Sequence, residues 1–247
     1  MSQIMPLPPR SAGVSDLLEA AAQLFRATLF KCLPQTMVAM LCLTVPAMYL
    51  EAKGFKFTAN KWPDDPQFWW LYAAGFLANL FLLSTVLLRQ RSLATGRATD
   101  LGSEMRFALR KLPLLAMCWI LSVAAIMLGT FAFVLPGIYL AVCLSLMHCV
   151  VLFESNPPPQ ALVRCVKLAH PFWWRCCAAL VIGLLVTVVC ILAASAVLAL
   201  IVGMTTTGVG PEVRAIETAL GLGFEGTATV FFMSLSLVLY SAASSSA

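Results

Sequence analysis

The sequence predicts an all-α polytopic membrane protein, with six transmembrane helices laid out as three antiparallel hairpins, each preceded by a short amphipathic interfacial helix. Three observations predict it. Hydrophobic residues make up 61% of the 247 residues, charged residues only 11%, and mean hydropathy is +0.91, whereas a soluble domain carries about 25% charged residues. The charges are clustered, which leaves several uncharged runs long enough for the roughly 20 residues a helix needs to cross the hydrocarbon core. These runs are continuously apolar instead of alternating, so the backbone is satisfied within helices and not around a barrel.

Met1 to Gly13, rich in Pro, reads as a disordered arm, and residues 14–247 as one six-span domain. From Val14 the apolar residues Leu17, Leu18, Ala21, Leu24, Phe25, Thr28 and Leu29 share one helical face, with Ser15 as N-cap. This segment leads within a few residues into a span, so it is expected to lie in the plane of the bilayer interface. Span one covers about 33–49, with Pro46 as a kink, and a polar loop with three Lys and three acids follows from Glu51 to Gln67. Span two, about 68–88, opens on the aromatic belt Phe68, Trp69, Trp70 and Tyr72 and closes on Arg89 and Arg91.

Residues 89–111 form the most basic segment. Within it Ser103 is expected to cap a second amphipathic helix that buries Met105, Ala108, Leu109 and Leu112. Span three, about 112–134, reverses at the turn Leu135-Pro136-Gly137 into span four, about 138–153, which ends at the acid Glu154. Three prolines then open a third amphipathic helix, with Leu162, Cys165, Val166 and Ala169 inward and Gln160, Arg164 and Lys167 outward. An aromatic and basic boundary, Phe172 to Arg175, hands the chain to span five (about 177–202), and a Gly- and Thr-rich loop leads to span six (about 218–242).

Placing the N-terminus, residues 89–111, residues 154–175 and the C-terminus on one side gathers twelve of the sixteen Lys and Arg there, while the acids divide evenly. The positive-inside rule makes that side, with both termini, cytoplasmic. It also accounts for the net charge of +5 without a nucleic-acid partner; the partners expected are anionic lipid headgroups and a membrane protein. Nine cysteines with no C-x-x-C pair read as small buried hydrophobes. The first 30 residues carry Asp16 and Glu19 and no long apolar core, so no cleaved signal peptide is expected. The architecture of amphipathic helix plus hairpin recurs three times, from Ser15, Ser103 and Pro159, which is a layout found in transporters and in plain duplications.

Six polar residues stand out. Glu154 sits where the carbonyls at the end of span four favour cations, so it needs compensation, and Arg164, Lys167 and Arg175 offer it. Glu225 stands some eight residues into an apolar segment; it is either a buried functional acid partnered by His148 and Asn79, or an interfacial acid if span six begins at Thr227. His148 beside Cys149 has no second His or acid at ligand spacing on its span, so no metal is expected. Gly221, Gly223 and Gly226 fit G-x-G-x-x-G but lack the strand and the downstream acid of a dinucleotide site, so they read as helix-packing glycines. No catalytic set can be assembled, and neither an enzyme nor a cofactor is expected.

The stretch Leu135 to Arg175 resembles the YciC-like family of bacterial inner-membrane proteins, which is related to the membrane domain fused to some glycerophosphodiester phosphodiesterases. The resemblance lies in Leu135-Pro136-Gly137-Ile138, Tyr139-Leu140-Ala141-Val142, Glu154, Ala161-Leu162, Arg164, Leu168 and Phe172-Trp173. Departures are Cys143 and His170, where members carry Arg and a nearby Gly, and an uncharged tail after Leu239-Tyr240. The resemblance implies location and fold. The function expected is that of a non-enzymatic membrane protein acting through lipid or protein contacts; the alternative is a small-solute or ion carrier with a midplane site near Glu225 and His148.

Overall fold

A computed structural model describes residues 8–9, 11–55, 63–97, 100–154, 156–205 and 211–244, with backbone alone over 194–195, 197–205 and 211–219. The described residues are helical throughout, joined by short connections: α1 (Val14–Ala52), α2 (Pro66–Ala94), α3 (Leu101–Ala132), α4 (Val134–Leu144), α5 (Met147–Glu154), α6 (Pro158–Ala169), a 3-10 turn at His170–Phe172, α7 (Trp173–Thr205) and α8 (Pro211–Ser244). Six helical stretches are long and apolar enough to cross a membrane. The protein is thus an all-α polytopic membrane protein, as its hydropathy predicts.

The first amphipathic segment is not a separate helix. The apolar stripe of Leu17, Ala21, Leu24 and Thr28 continues without a break through Cys32, Thr36 and Ala39, all buried, so α1 runs through both expected elements. Its 39 residues span about 58 Å at 1.5 Å per residue, well beyond the roughly 30 Å hydrocarbon core. The stripe packs on protein, with Phe25 set edge-to-face on Phe231 of α8 at 5.8 Å. Ser15 is not the cap; Gly13 holds that position, and its N–H donates to the Asp16 carboxylate at 2.9 Å. Most of the expected arm, residues 1–7 and 10, lies outside the described residues, but Ala12 is buried and its carbonyl accepts from Arg175 at 3.4 Å.

The second amphipathic segment likewise merges with its span as α3, capped at Asp100 instead of Ser103. Its inward face is Glu104 and Ala108, while Met105 and Leu109 are exposed. The rotation follows from α2: Ser92 Oγ donates to Glu104 at 2.8 Å and Arg89 lies 3.7 Å from the same carboxylate. A carboxylate with those partners is buried at less cost than one left unpaired, and it turns the helix accordingly.

The chain reverses at Phe133 alone, whose extended backbone separates α3 from α4; Pro136 and Gly137 lie inside the first turn of α4. Gly137 is where the two helices meet, since a Cβ there would overlap the Thr130 side chain. Span four is broken at Ser145-Leu146 into α4 and α5, with Ser145 Oγ donating to Val142 at 2.7 Å. The third amphipathic segment alone is a separate helix, α6, with Ala161, Cys165, Leu168 and Ala169 buried. The helix of span six, α8, starts at Pro211, and its apolar stretch, Leu220–Ser244, lies where the span is expected.

Helix packing within lipid depends on close fit, because lipid tails are as apolar as the side chains they meet. Pro46 cannot supply an N–H to the Cys42 carbonyl one turn back, and Gly75 of α2 packs against that carbonyl so closely that a Cβ would overlap it. One turn away the Asn79 amide donates to the Ala39 carbonyl at 3.0 Å. These contacts, with Cys32 against Val86, fix α1 and α2 as an antiparallel pair. Glycines in left-handed conformation close both helices of that pair, Gly54 at φ 73° and Gly96 at φ 67°.

Candidate functional site

The richest polar constellation forms at the end of α5. Acids at a helix C-terminus meet unpaired carbonyls and need cations or donors to offset them. Glu154 has three: Arg164 Nε of α6 at 2.9 Å, Asn156 Nδ2 at 3.2 Å, and the hydroxyl of Tyr240 in α8 at 3.1 Å. Next to it the Arg91 guanidinium of α2 stacks 3.9 Å from the Phe153 ring, which lies 5.5 Å from Tyr240. One junction therefore joins α2, α5, α6 and α8. It borders a cleft of about 470 Å³ lined by Arg91, Phe153, Leu237 and Tyr240.

Arg164 is brought to Glu154, as its spacing suggests, while Arg175 is not; it turns to Ala12 and stands 5.9 Å from the Phe172 ring. The other candidates are kept apart. Glu225 is exposed on α8, Asn79 is engaged with Ala39, and His148 Nε2 is buried without a hydrogen-bond partner. No ion pair or hydrogen bond among the described residues joins any two of these three. Of the three glycines of G-x-G-x-x-G, Gly226 meets Thr36 and Met37 of α1. All nine cysteines are free thiols, six of them buried, and no group of three metal-ligating side chains occurs among the described residues.

Two polar groups carry structure that the sequence did not announce. Gln90 of α2, fully buried, donates from Nε2 to Val230 and to Ser234 Oγ of α8, each at 3.0 Å. Glu104 is 5% exposed and bound to Ser92. Only their position beside apolar runs signals them; the partners of Gln90 are 140 or more residues away. On the opposite loop Lys53 pairs with Asp65 at 2.5 Å, whose carboxylate also receives the Tyr49 hydroxyl at 3.0 Å. The Lys53–Asp65 hydrogen bond holds the Asp65 carboxyl below and the Lys53 ammonium above their ordinary values.

Chemically, the Glu154 junction is a set of donors saturating one carboxylate, which suits a tie between helices more than proton transfer. The chain matches no family model, no curated protein and no solved structure.

Proposed function

We propose that this is a protein of the bacterial inner membrane that works without catalysis, through contacts with anionic lipid headgroups and with a membrane-protein partner, its termini and basic end facing the cytoplasm. One observation carries the reading: the packing gathers cations at one end of the bundle. The α1–α2 register levels Arg26 with Arg91, the Glu104 contacts add the turns of α3 that bear Arg106 and Arg110, and Glu154 adds α6 with Arg164 and Lys167. Beyond that end, α3 and α7 turn apolar side chains outward, as lipid-facing helices do, among them Ile120, Leu128, Leu185 and Val189. Each cation near an anionic leaflet contributes about 1 kcal/mol of attraction. The resemblance of Leu135–Arg175 to the YciC-like family supports the same location.

The test is the melting temperature of the full chain in nanodiscs of phosphatidylcholine, with and without phosphatidylglycerol. Anionic lipid is expected to raise it, and added salt to shrink the gain. Equal melting in both lipids contradicts the reading. A carrier is the second reading, and the unpartnered Nε2 of His148 beside the Ser145-Leu146 break favours it; Glu225, exposed and apart, does not join it.

A further inference from the structure

A cleft of about 260 Å³ opens on the flank of the bundle between α1, α7 and α8. Next to it, about one turn before Val186 and Thr187, α7 closes on α8: a Cβ on Gly183 would stand 3.2 Å from both Phe231 and Leu235. Val186 and Ile191 of α7, Phe224 of α8, and the edge-to-face pair of Phe25 and Phe231 line the cleft. Thr187 and Thr227 also line it, but their hydroxyls donate to the Gly183 and Gly223 carbonyls of their own helices, each at 2.8 Å. The walls are therefore apolar in effect.

Among the described lining residues the one charged side chain is Arg26. It is exposed and makes no ion pair among the described residues. The two acids near it on α1 are engaged elsewhere, Asp16 by the Gly13 N–H and Glu19 by the Gln23 side chain at 3.2 Å, and Glu51 stands at the far end of the helix. Glu225, one residue from Phe224, forms no pair with it either. Asn79 on Ala39, Gly75 on Cys42 and Cys32 on Val86 set the register of α1 against α2, and the same register puts Arg26 level with Arg91 and Ser92. Among the described residues an unpaired guanidinium thus stands at the basic end of the bundle, on the lining of an otherwise apolar cleft.

We infer that this cleft binds one anionic phospholipid of the cytoplasmic leaflet, with an acyl chain between α7 and α8 and a phosphate oxygen on Arg26. The inference rests on the proposed lipid-contact function and names the lipid class and the place. A guanidinium suits phosphate because its fork of donors can bond two oxygens at once. The slot suits a chain because a void against apolar walls forfeits dispersion contacts that a flexible alkyl chain restores. A zwitterionic lipid offers the same phosphate, but its ammonium offsets the attraction that an unpaired Arg supplies. A folded protein partner fits less well, since the cleft is only about 260 Å³ and its described lining carries a single charge.

Native mass spectrometry of the purified full chain, titrated with phosphatidylglycerol or phosphatidylcholine, tests this. The chain is expected to retain one phosphatidylglycerol about fivefold more tightly than phosphatidylcholine, as one interfacial cation implies. Arg26→Gln should abolish that preference, Arg26→Lys should keep part of it, and Ala228→Trp, which fills the slot, should remove the tight adduct of both lipids. Arg26 is exposed, so Arg26→Gln should melt as the wild type does and decides the matter even if Ala228→Trp fails to fold. A preference that survives Arg26→Gln overturns the cleft assignment while leaving the lipid-contact reading standing. No preference in the wild type overturns both. A dimer mass that Ala228→Trp dissolves, with no lipid adduct, overturns the cleft assignment in favour of a second copy of the chain.

Discussion

Arg164 Nε donates to Glu154 Oε2 at 2.9 Å across the proline connector, with side chains only 34% and 19% exposed. The pair sits where α5 ends and α6 begins, and the Tyr240 hydroxyl brings α8 to the same carboxylate. The junction holds the second hairpin to the helices on either side of it.

Glu154→Gln and Arg164→Gln are each expected to lower the melting temperature of the detergent-solubilised protein. A partly buried pair of this kind is worth about 1 kcal/mol, so the double variant should cost about that much less than the sum of the singles. Tyr240→Phe should cost about 0.5–1.5 kcal/mol, the value of one hydrogen bond. Strict additivity of the two charge variants, measured by melting, rejects the tie.

Gly75→Ala places a methyl on the Cys42 carbonyl oxygen and should destabilise by about 1–3 kcal/mol through forced separation of α1 and α2. Ala74→Leu, next to it and exposed, should change stability by less than about 0.5 kcal/mol. Equal effects of the two, in the same melting assay, remove the close approach from the account.

How much of this was legible in the sequence differs element by element. The spans were readable because lipid demands long uncharged runs, and the Glu154–Arg164 pair because the two residues lie ten positions apart on consecutive elements. The continuity of α1 was not, since neither Lys31 nor Pro34 decides by itself whether the helix ends. That depends on α8 being there to receive Phe25. The inward turn of Glu104 was hidden for the same reason: its partners Ser92 and Arg89 lie on another helix. Tyr240 and Gln90 find their partners 86 and 140 residues away, beyond the reach of any local pattern.

The Lys53–Asp65 pair predicts a pH window for the closure of the α1–α2 loop. The Asp65 carboxyl lies below its ordinary 3.8, so its contribution is present above that value and is lost as pH falls through the folded one. Lys53 lies above its ordinary 10.5, so its contribution is present below that value and is lost as pH rises through the folded one. Asp65→Asn should therefore melt below wild type at pH 7, with the difference vanishing under acid conditions below the folded value of Asp65. A difference that persists unchanged in acid removes the ion pair as its cause.

The one-sided basic end is the centre of the account, and reporter fusions measure it most directly. Fusions at Ala94 and Ala247 should report from the cytoplasm and an insertion at Asn60 from outside, because that arrangement alone puts twelve of the sixteen basic residues against the anionic inner leaflet. A cytoplasmic signal from Asn60, or an external one from Ala94, would contradict it.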